Sequence, residues 1–479
     1  MTTRMFIDGE WREATSGATV EATSPATGES LGPVAEGDRV DARLAIAAAN
    51  AAFPSWGART GFERAEFLHR AADVMESRAD ELARVLTLDQ GKPLKAEAEV
   101  EVGELVEFFR MAAEDGKRVE GSIPQSGAPG RRVLLVRRPL GVLGLITPWN
   151  WPYTMPAEVL APALACGNTV VWTPAPSTAV CSGLLAECIA EADFPPGVFN
   201  FVLGPGPEVG DELAVNAGTH AVAFTGSTET GLIVSRQAAG KAQLLEMGGN
   251  GPLVVLQDAD LAAAAEAARV GSFLGAGQSC SAAERILVHD DVRDEFVSLL
   301  AADVEREVRL GDPFDDATTM GPVNNEPGAA KMDAHVADAV ERGATVVAGG
   351  SRADGFPTEL YWQPTILDDV PRDSIAVTQE TFGPIAPIVG IGSLEEAIQQ
   401  TNSQTYGLMA AIFTSDLAAG LRYADAVPMG LVNINETTNY WEPHLPWGGR
   451  ARSQSGIGRV GGRYPMDTLT ELQTVLIQT

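Results

Sequence analysis

Short apolar runs alternate with alanine-rich stretches along most of the chain, and this alternation limits the possible folds more than any other feature. Strands that alternate with helices are typical of a parallel sheet covered by helices. The sequence therefore predicts an α/β fold. The strand candidates of a first series are residues 141–147, 169–172, 198–202, 221–224 and 252–256. The helix candidates between them are residues 157–165, 178–191 and 206–217.

A second series of the same kind runs from about residue 261 to residue 417. Its strand candidates include residues 344–348 and 385–389. Two α/β units in succession are typical of a cofactor-binding domain followed by a catalytic domain.

Two strand-like segments belong to neither series. Arg131–Pro139 is basic and rich in apolar residues, and residues 468–478 form a similar run at the end of the chain. Unpaired edge strands invite aggregation unless they are covered. We expect these segments to pair with each other or with another subunit, and we predict a homodimer or homotetramer built partly on them.

Composition narrows the possible partners. The 479 residues carry a formal charge of −30, which argues against nucleic acid or an anionic membrane as a partner. No apolar run reaches the roughly 18–20 residues of a membrane helix. The first residues show no basic-then-apolar signal, so a cytoplasmic location is expected. The four cysteines form no CxxC pair and the five histidines do not cluster, so no metal site is expected.

A carboxylate and a thiol are the main candidates for chemistry. Glu246 precedes Met-Gly-Gly-Asn, and Cys280 follows Gly277, Gln278 and Ser279. A thiolate attacks carbonyl carbon, and a nearby carboxylate can deprotonate a thiol or a water. The alternative interpretation is a partly buried cysteine and a glutamate that caps a helix or forms a salt bridge.

Three further motifs are each ambiguous by themselves. Asn150, in a loop stiffened by prolines, can aim its amide at a developing oxyanion together with the Cys280 N–H, or it can cap the next helix. Residues 224–231 place glycines and hydroxyls at a strand-to-helix transition, where N–H groups can bind phosphate, although such a run is often only a turn. Residues 380–384 can bind a ribose and pack on a nicotinamide, or form an ordinary turn.

With these five motifs in one order, the chain resembles the aldehyde dehydrogenase superfamily. The resemblance extends from Phe6 to Leu472. It implies a Rossmann-like cofactor domain, an α/β catalytic domain and a small β element for oligomerisation. We expect the cofactor domain at residues 1–120 and 140–247 and the catalytic domain at residues 248–450. We expect the oligomerisation element at residues 121–139 and 451–479.

The resemblance also implies a mechanism. Cys280 attacks an aldehyde, Asn150 and the Cys280 N–H hold the oxyanion, hydride leaves to a nicotinamide, and Glu246 activates water to hydrolyse the thioester. The residues implied for cofactor binding are Trp149, Thr173, Gly206, Gly226, Ser227, Gly248, Glu380 and Phe382.

The chain departs from the family where the adenosine ribose binds. The family usually has lysine at Thr173 and glutamate at Pro176. Without the carboxylate, a 2′-phosphate is not repelled, and without the lysine it has no obvious partner. NAD and NADP both remain open, with a slight preference for NAD.

The implied substrate tunnel favours some aldehydes over others. Succinate-semialdehyde dehydrogenases resemble one another in carrying arginines where this chain has Glu158 and Leu274, so a dicarboxylic semialdehyde is not expected. Three tryptophans favour an aromatic or extended apolar aldehyde. Glu158 would permit a cationic aminoaldehyde, but we favour the alternative that it points away or bonds to backbone. The implied tunnel residues are Trp151, Thr154, Met155, Glu158, Leu274, Ser279, Ser281, Trp441 and Trp447.

Two alternatives to this function remain. A coenzyme-A acylating relative would release the thioester to a thiol, but members of that branch generally lack the Glu246 base. A non-catalytic protein on the same fold would have no reason to keep Cys280, Glu246 and Asn150 together.

Overall fold

The computed structural model describes residues 2–478. The strands in this range are β1 (Met5–Ile7), β2 (Glu10–Arg12), β3 (Thr19–Thr23), β4 (Ser30–Ala35), β5 (Arg131–Pro139), β6 (Val142–Ile146), β7 (Thr169–Thr173), β8 (Phe199–Phe201), β9 (Ala221–Thr225), β10 (Ala242–Glu246), β11 (Gly251–Val255), β12 (Ala283–His289), β13 (Thr345–Ala348), β14 (Thr365–Asp368), β15 (Ile385–Ile391), β16 (Met409–Phe413), β17 (Leu431–Ile434), β18 (Gly456–Ile457) and β19 (Thr470–Gln478).

Helices separate these strands. The α-helices of the described range are α1 (Arg39–Gly57), α2 (Gly61–Ser77), α3 (Ala79–Gln90), α4 (Glu99–Gly116), α5 (Thr154–Cys166), α6 (Ala179–Glu191), α7 (Asp211–Val215), α8 (Thr228–Gln237), α9 (Leu261–Phe273), α10 (Arg293–Glu307), α11 (Glu326–Glu341), α12 (Ile375–Thr378), α13 (Leu394–Asn402), α14 (Leu417–Ala426) and α15 (Pro465–Thr468). Shorter helical turns lie at Leu94–Ala98, Pro176–Thr178, Gly206–Gly210, Leu274–Gly277 and Asp290–Val292. No helix in residues 2–478 is both long enough and apolar enough to cross a membrane.

The first sheet contains the predicted first series. Within the described residues its order is β18-β10-β9-β6-β7-β8-β1-β2, and the five strands β6 to β10 run parallel. Strands β7, β8 and β9 are buried along their whole length, as expected of a parallel sheet covered on both faces. The strand order reverses between β6 and β9, which is where ligands bind in sheets of this kind. The α/β prediction is confirmed.

The second sheet has the order β13-β14-β15-β12-β11-β16-β17 in the part of the chain that the structure describes. Among the described strands of this sheet, only β13 runs antiparallel to its neighbour. The strand candidate at residues 252–256, which was grouped with the first series, belongs to the second sheet. Residues 252–255 fall in β11, which pairs with β12 and β16.

The two segments outside both series pair with each other. Strands β5 and β19 form an antiparallel ribbon over nine residue pairs, from Arg131 with Gln478 to Pro139 with Thr470. The side chains of Leu472 and Leu476 on this ribbon are exposed. Of the two expected pairings, the ribbon is therefore formed within the chain, while the homo-oligomer remains a prediction.

The C-terminal residues return to the first sheet before they reach the ribbon. Strand β18 pairs antiparallel with the end of β10, so that Gly456 lies opposite Glu246. This pairing fixes the backbone of the candidate base one strand in from the edge of the sheet. The proposed domain limits, which place residues 456 and 457 with the oligomerisation element, remain a prediction.

Candidate active site

Cys280 lies where two cavities meet. A small cavity of about 160 Å³ lies on one side of it, and a large cavity of about 520 Å³ lies on the other. Cys280 and Met155 line both. A thiol at such a junction can react with a molecule in the small cavity while a second molecule occupies the large one.

The turn before Cys280 is held in an unusual backbone conformation. Gly275, Ala276 and Gly277 all have positive φ, of 62°, 54° and 69°. A Cβ at Gly277 would overlap the carbonyl oxygen of Gly383, so the turn requires glycine there. The Gln278 side chain braces this turn by donating to the Gly275 carbonyl at 3.0 Å and accepting from the Asn324 N–H at 2.9 Å.

Asn150 is buried beside the same turn. Its amide Nδ2 donates to the Gln278 carbonyl at 3.0 Å, two residues before Cys280. An asparagine amide has two donor hydrogens, so one remains for another acceptor. Asn150 does not cap α5. The first N–H groups there, of Tyr153 and Thr154, donate instead to the Glu101 carboxylate at 2.8 and 3.2 Å.

Glu246 is a buried carboxyl group at the end of β10. It is 3% exposed, and within residues 2–478 neither oxygen has a hydrogen-bond partner. Burial, followed by the charge of Glu158, raises the pKa of Glu246 well above its usual value. A Cβ at Gly448 would meet Glu246 Oε1, so glycine leaves room for the carboxyl. Neither the helix cap nor the salt bridge of the alternative interpretation is present among the described residues.

Cys280 is a free, partly buried thiol. Burial raises its pKa above the usual value, and the negative charges of Glu246, Glu380 and Glu158 raise it further. The resting thiol is therefore protonated at neutral pH. Its proton must leave when the sulfur attacks, so a proton acceptor in the site is a chemical requirement.

The large cavity brings together most of the residues expected to bind the cofactor. Ser227 Oγ accepts from the Thr230 N–H at 3.2 Å and so caps α8 at the cavity wall. Glu380 Oε1 accepts from the Gly249 N–H at 2.8 Å and joins two loops. The sequence-predicted residues that line this cavity are Trp149, Asn150, Met155, Gly226, Ser227, Glu246, Gly248, Cys280, Glu380 and Phe382.

Phe382 is held in place by a buried acid. Its φ of 59° is unusual for a residue with a side chain. Glu284 accepts from the N–H groups of Thr381 and Phe382 at 2.7 and 2.8 Å, and this fixes the loop. The ring meets Trp149 edge to face, with centroids 5.6 Å apart. Two aromatic rings therefore form one wall of the large cavity.

Two of the predicted cofactor residues lie outside this lining. Thr173 is buried at the end of β7, and Gly206 starts the short helical turn before α7. Two residues of this cavity were not predicted from the sequence, Asn325 just before α11 and Lys331 within that helix. Asn325 caps that helix ahead of Glu326 and Pro327, and this cap was the available signal.

The small cavity contains most of the predicted tunnel residues. These are Trp151, Thr154, Met155, Leu274, Ser279, Ser281, Trp441 and Trp447. Glu158 is not among them. Its side chain is fully buried behind the wall, and no described residue makes a hydrogen bond to either of its oxygens. It does not line the cavity, and it makes no bond to backbone within residues 2–478.

Four residues of the small cavity were not predicted: Glu104, Met409, Asn439 and Tyr440. Glu104 accepts from Thr154 Oγ1 at 2.9 Å, and burial raises its pKa to about 7. Asn439 Oδ1 accepts from Ser281 Oγ at 2.8 Å. These residues come from elements far from Cys280 in sequence, so local motifs gave no signal for them.

Comparisons with known proteins identify the family of the chain. The model of the aldehyde dehydrogenase family matches residues 11–475. The chain is 40% identical to the NADP(+) succinate-semialdehyde dehydrogenase GabD of Escherichia coli strain K12, over 98% of this chain and 97% of that protein. It is 39% identical to a glutarate-semialdehyde dehydrogenase of Pseudomonas aeruginosa, over 98% and 96%.

A solved structure shows the same fold. The NAD+ complex of betaine aldehyde dehydrogenase from Staphylococcus aureus superposes with a TM-score of 0.96 at 34% identity, covering 100% of this chain and 95% of that one. The chain belongs to the aldehyde dehydrogenase family. It is therefore an NAD(P)-dependent oxidoreductase that acts on aldehydes.

Proposed function

We propose that this protein oxidises a free aldehyde to a carboxylic acid through a thioester on Cys280. The observation that carries the proposal is the position of Cys280 at the junction of the two cavities. The overall reaction consumes the aldehyde, one water and one oxidised nicotinamide. It yields a carboxylate, a reduced nicotinamide and two protons.

Each step uses groups that surround Cys280. The Cys280 thiol gives up its proton to solvent, as one of the two protons that the overall reaction releases, when its sulfur adds to the aldehyde carbon. The oxyanion of the thiohemiacetal accepts hydrogen bonds from Asn150 Nδ2 and the Cys280 N–H. When bound, the oxidised nicotinamide supplies the hydride acceptor. Loss of hydride leaves a thioester on Cys280. Glu246 then takes a proton from water, which attacks the thioester and releases the acid and the free thiol.

The large cavity suits a nicotinamide dinucleotide. Its volume of about 520 Å³ falls within the usual range for cofactor sites. The first turn of α8 offers N–H groups to the pyrophosphate next to Gly226 and Ser227. Gly248, Glu380 and Phe382 would hold the nicotinamide end, with Trp149 beside them. Thr173 and Gly206 would lie nearer the adenosine.

We propose NAD as the preferred acceptor and NADP as a usable one. Residues 173–178 include neither a lysine to bind a 2′-phosphate nor a carboxylate to repel it. Pro176 and Ser177 are exposed, so the adenosine side of the site is open to either cofactor. The relatives are divided, since GabD is named for NADP(+) and the Staphylococcus aureus structure holds NAD+.

For the substrate we propose an aldehyde without a carboxylate tail. The relatives named for succinate and glutarate semialdehydes favour a small aliphatic molecule, and a cavity of about 160 Å³ agrees with small size. Of the described residues that line it, none is lysine or arginine, and three are tryptophan. An apolar body, aromatic or aliphatic, therefore fits the walls.

An aminoaldehyde is the second candidate. Glu104 places a carboxyl group on the wall of the small cavity, beside Thr154. A protonated amine would gain an opposite charge there and could also rest on the tryptophan faces. The negatively charged form of Glu104 would repel a carboxylate tail.

A panel of aldehydes tests the reaction class and the substrate together. We expect reduced nicotinamide to form with neutral or amino-aldehydes without coenzyme A, and more slowly with succinate semialdehyde of similar length. NAD and NADP are assayed separately against each aldehyde. Turnover only with coenzyme A would support the acylating alternative, and a reactive Cys280 without any turnover would support the non-catalytic one.

The pH dependence of aminoaldehyde binding tests the role of Glu104. Since its pKa is raised to about 7, Glu104 is neutral below that pH and negative above it. The KM for an aminoaldehyde should therefore fall as the pH rises through about 7, while the KM for a neutral aldehyde of equal length stays flat. Glu104→Gln should remove the difference, and Glu107→Gln, on the exposed face of the same helix, should not. Equal profiles for both aldehydes in the unmodified enzyme would contradict the role.

A further inference from the structure

One short segment of the chain contacts both of the loops that supply the proposed oxyanion donors. Residues 92–101 run from the loop after α3 into the first turn of α4. Three of their charged side chains, Lys92, Glu97 and Glu101, are buried. Charged side chains are almost never fully buried unless they are paired, so the partners of these three indicate what the segment does.

Two of the three side chains hold the loop of Asn150. Lys92 Nζ donates to Glu101 Oε2 at 2.6 Å and lies 3.7 Å from the centroid of the Trp151 ring. Glu101 Oε1 accepts the two N–H groups at the start of α5. Charge-assisted hydrogen bonds are short and strong, and a cation over an indole face adds attraction. The chain is therefore held immediately after Asn150, both by a side chain and by the backbone.

The third side chain holds the turn that leads to Cys280. Glu97 Oε1 accepts the Gly275 N–H at 3.0 Å, and this bond is buried. Gly275 is the first of three consecutive residues with positive φ, and its carbonyl accepts from the Gln278 side chain. Glu97 therefore fixes the start of the turn whose far end carries the nucleophile.

The two sets of contacts adjoin each other at the Glu97 carboxyl. A Cβ at Gly275 would lie 3.9 Å from Glu97 Oε2 and also 3.9 Å from Trp151 Cζ2. Within residues 2–478, Oε2 makes no hydrogen bond, so the bond from Oε1 to the Gly275 N–H is the specific contact of this carboxyl. Burial raises the pKa of Glu97 to about 7. The contact does not depend on charge, because a carboxyl oxygen accepts an N–H in either protonation state.

We propose that Glu97 is a positioning residue for Cys280 and acts through the Gly275 N–H. Together with the other two buried charges of residues 92–101, it sets the Cys280 N–H at its working distance from the Asn150 amide. The inference rests on the proposed function, in which these two donors bind the oxyanion. Both donors must reach the same oxygen, and a displacement of about 1 Å can slow a reaction by about 10²-fold.

Two substitutions of similar size separate the hydrogen bond from packing. Glu97→Met fills the space but accepts no N–H, and it leaves the buried Gly275 N–H without its partner. Glu97→Gln keeps an acceptor oxygen at the same reach. The rate of the first turnover, measured as reduced nicotinamide by stopped flow, should fall roughly 10²-fold in Glu97→Met and stay close to native in Glu97→Gln. The Kd of the cofactor should change little in either variant.

Glu99 provides a matched control. It lies two residues further along the same segment, and its exposed carboxyl pairs with Lys95 at 2.6 Å. Glu99→Met and Glu99→Gln repeat the two chemical changes away from the turn, and both should keep the native rate of the first turnover. A native rate in a folded Glu97→Met enzyme would overturn the inference. An equal loss in Glu97→Met and Glu97→Gln would also overturn it, because the hydrogen bond would then not be the cause.

A second measurement needs neither cofactor nor turnover. The Cys280 sulfur can add to the carbonyl carbon of 1,1,1-trifluoroacetone and form an oxyanion, but this ketone has no hydride to lose. The ketone concentration that halves the rate of Cys280 alkylation by iodoacetamide should rise several-fold in Glu97→Met and not in Glu97→Gln. A native enzyme that forms no reduced nicotinamide with any aldehyde would defeat the proposed function instead. The protection series would then still show whether Glu97 acts on the addition of the sulfur.

Glu97→Asp decides the question if Glu97→Met does not fold. Aspartate keeps the carboxyl group but is one methylene shorter, so it can bond the Gly275 N–H only if the turn moves. The first turnover should be slower than in the native enzyme, and the half-protecting ketone concentration should be higher. Native values of both in a folded Glu97→Asp enzyme would overturn the inference.

Discussion

Replacement of Cys280 by alanine is expected to abolish aldehyde oxidation while leaving the fold and cofactor binding intact. We expect a loss on the order of 10⁴-fold or more, because the thiohemiacetal and the thioester both require the sulfur. The neighbouring hydroxyls offer no substitute. Ser279 Oγ and Ser281 Oγ lie 2.8 Å apart in a hydrogen bond, and Ser281 also donates to Asn439.

The chain offers a matched control for this variant. Cys166→Ala removes a thiol that is buried at the end of α5. Burial raises the pKa of this thiol to about 12. It should keep nearly full activity, since Cys166 lines neither cavity. Reduced-nicotinamide formation, thermal unfolding and cofactor titration are measured for both variants. Turnover by Cys280→Ala within a factor of about ten of the native rate would contradict covalent catalysis at this residue.

The architecture could be read from the sequence because local patterns set it. Continuous apolar runs such as β7 and β9 predicted buried parallel strands, and the structure confirms them. The apolar and basic pattern of Arg131–Pro139 predicted a strand that belongs to neither series. In the structure this strand pairs with β19. Residues 252–256 were grouped with the first series of strands although the catalytic domain was expected at residues 248–450, because an apolar run does not encode which of two adjacent sheets it will join.

The site could be predicted only where its residues lie in compact motifs. Asn150 and Cys280 each stand in such a motif. In the structure, Asn150 donates a hydrogen bond to the Gln278 carbonyl, two residues before Cys280. Glu104 gave no signal, because it reaches the small cavity from α4 by packing against Thr154, fifty residues away. The orientation of Glu158 was equally hidden. A helix buried on every side, as α5 is, has no hydrophobic pattern that shows which neighbour a polar residue faces.

Replacement of Glu246 by glutamine should separate the two halves of the reaction. Glutamine fits the same buried space but cannot accept a proton, so attack and hydride loss should still occur once. We expect a burst of about one reduced nicotinamide per Cys280, followed by steady turnover reduced by roughly 10²–10⁴-fold. Quenched-flow measurement of the first turnover resolves the burst from the steady rate.

The pH profile and a chemical rescue give this variant its sharpest test. In the native enzyme, the rate of thioester hydrolysis should rise with pH as Glu246 loses its proton. Burial and the charge of Glu158 raise the pKa of Glu246. In Glu246→Gln that rise should vanish. An added small thiol should restore turnover, because a thiolate attacks a thioester without a general base. Unchanged steady turnover would contradict the role of Glu246. Loss of the burst itself would show that the same carboxylate also takes the proton of Cys280, which would make one buried acid the base for both steps.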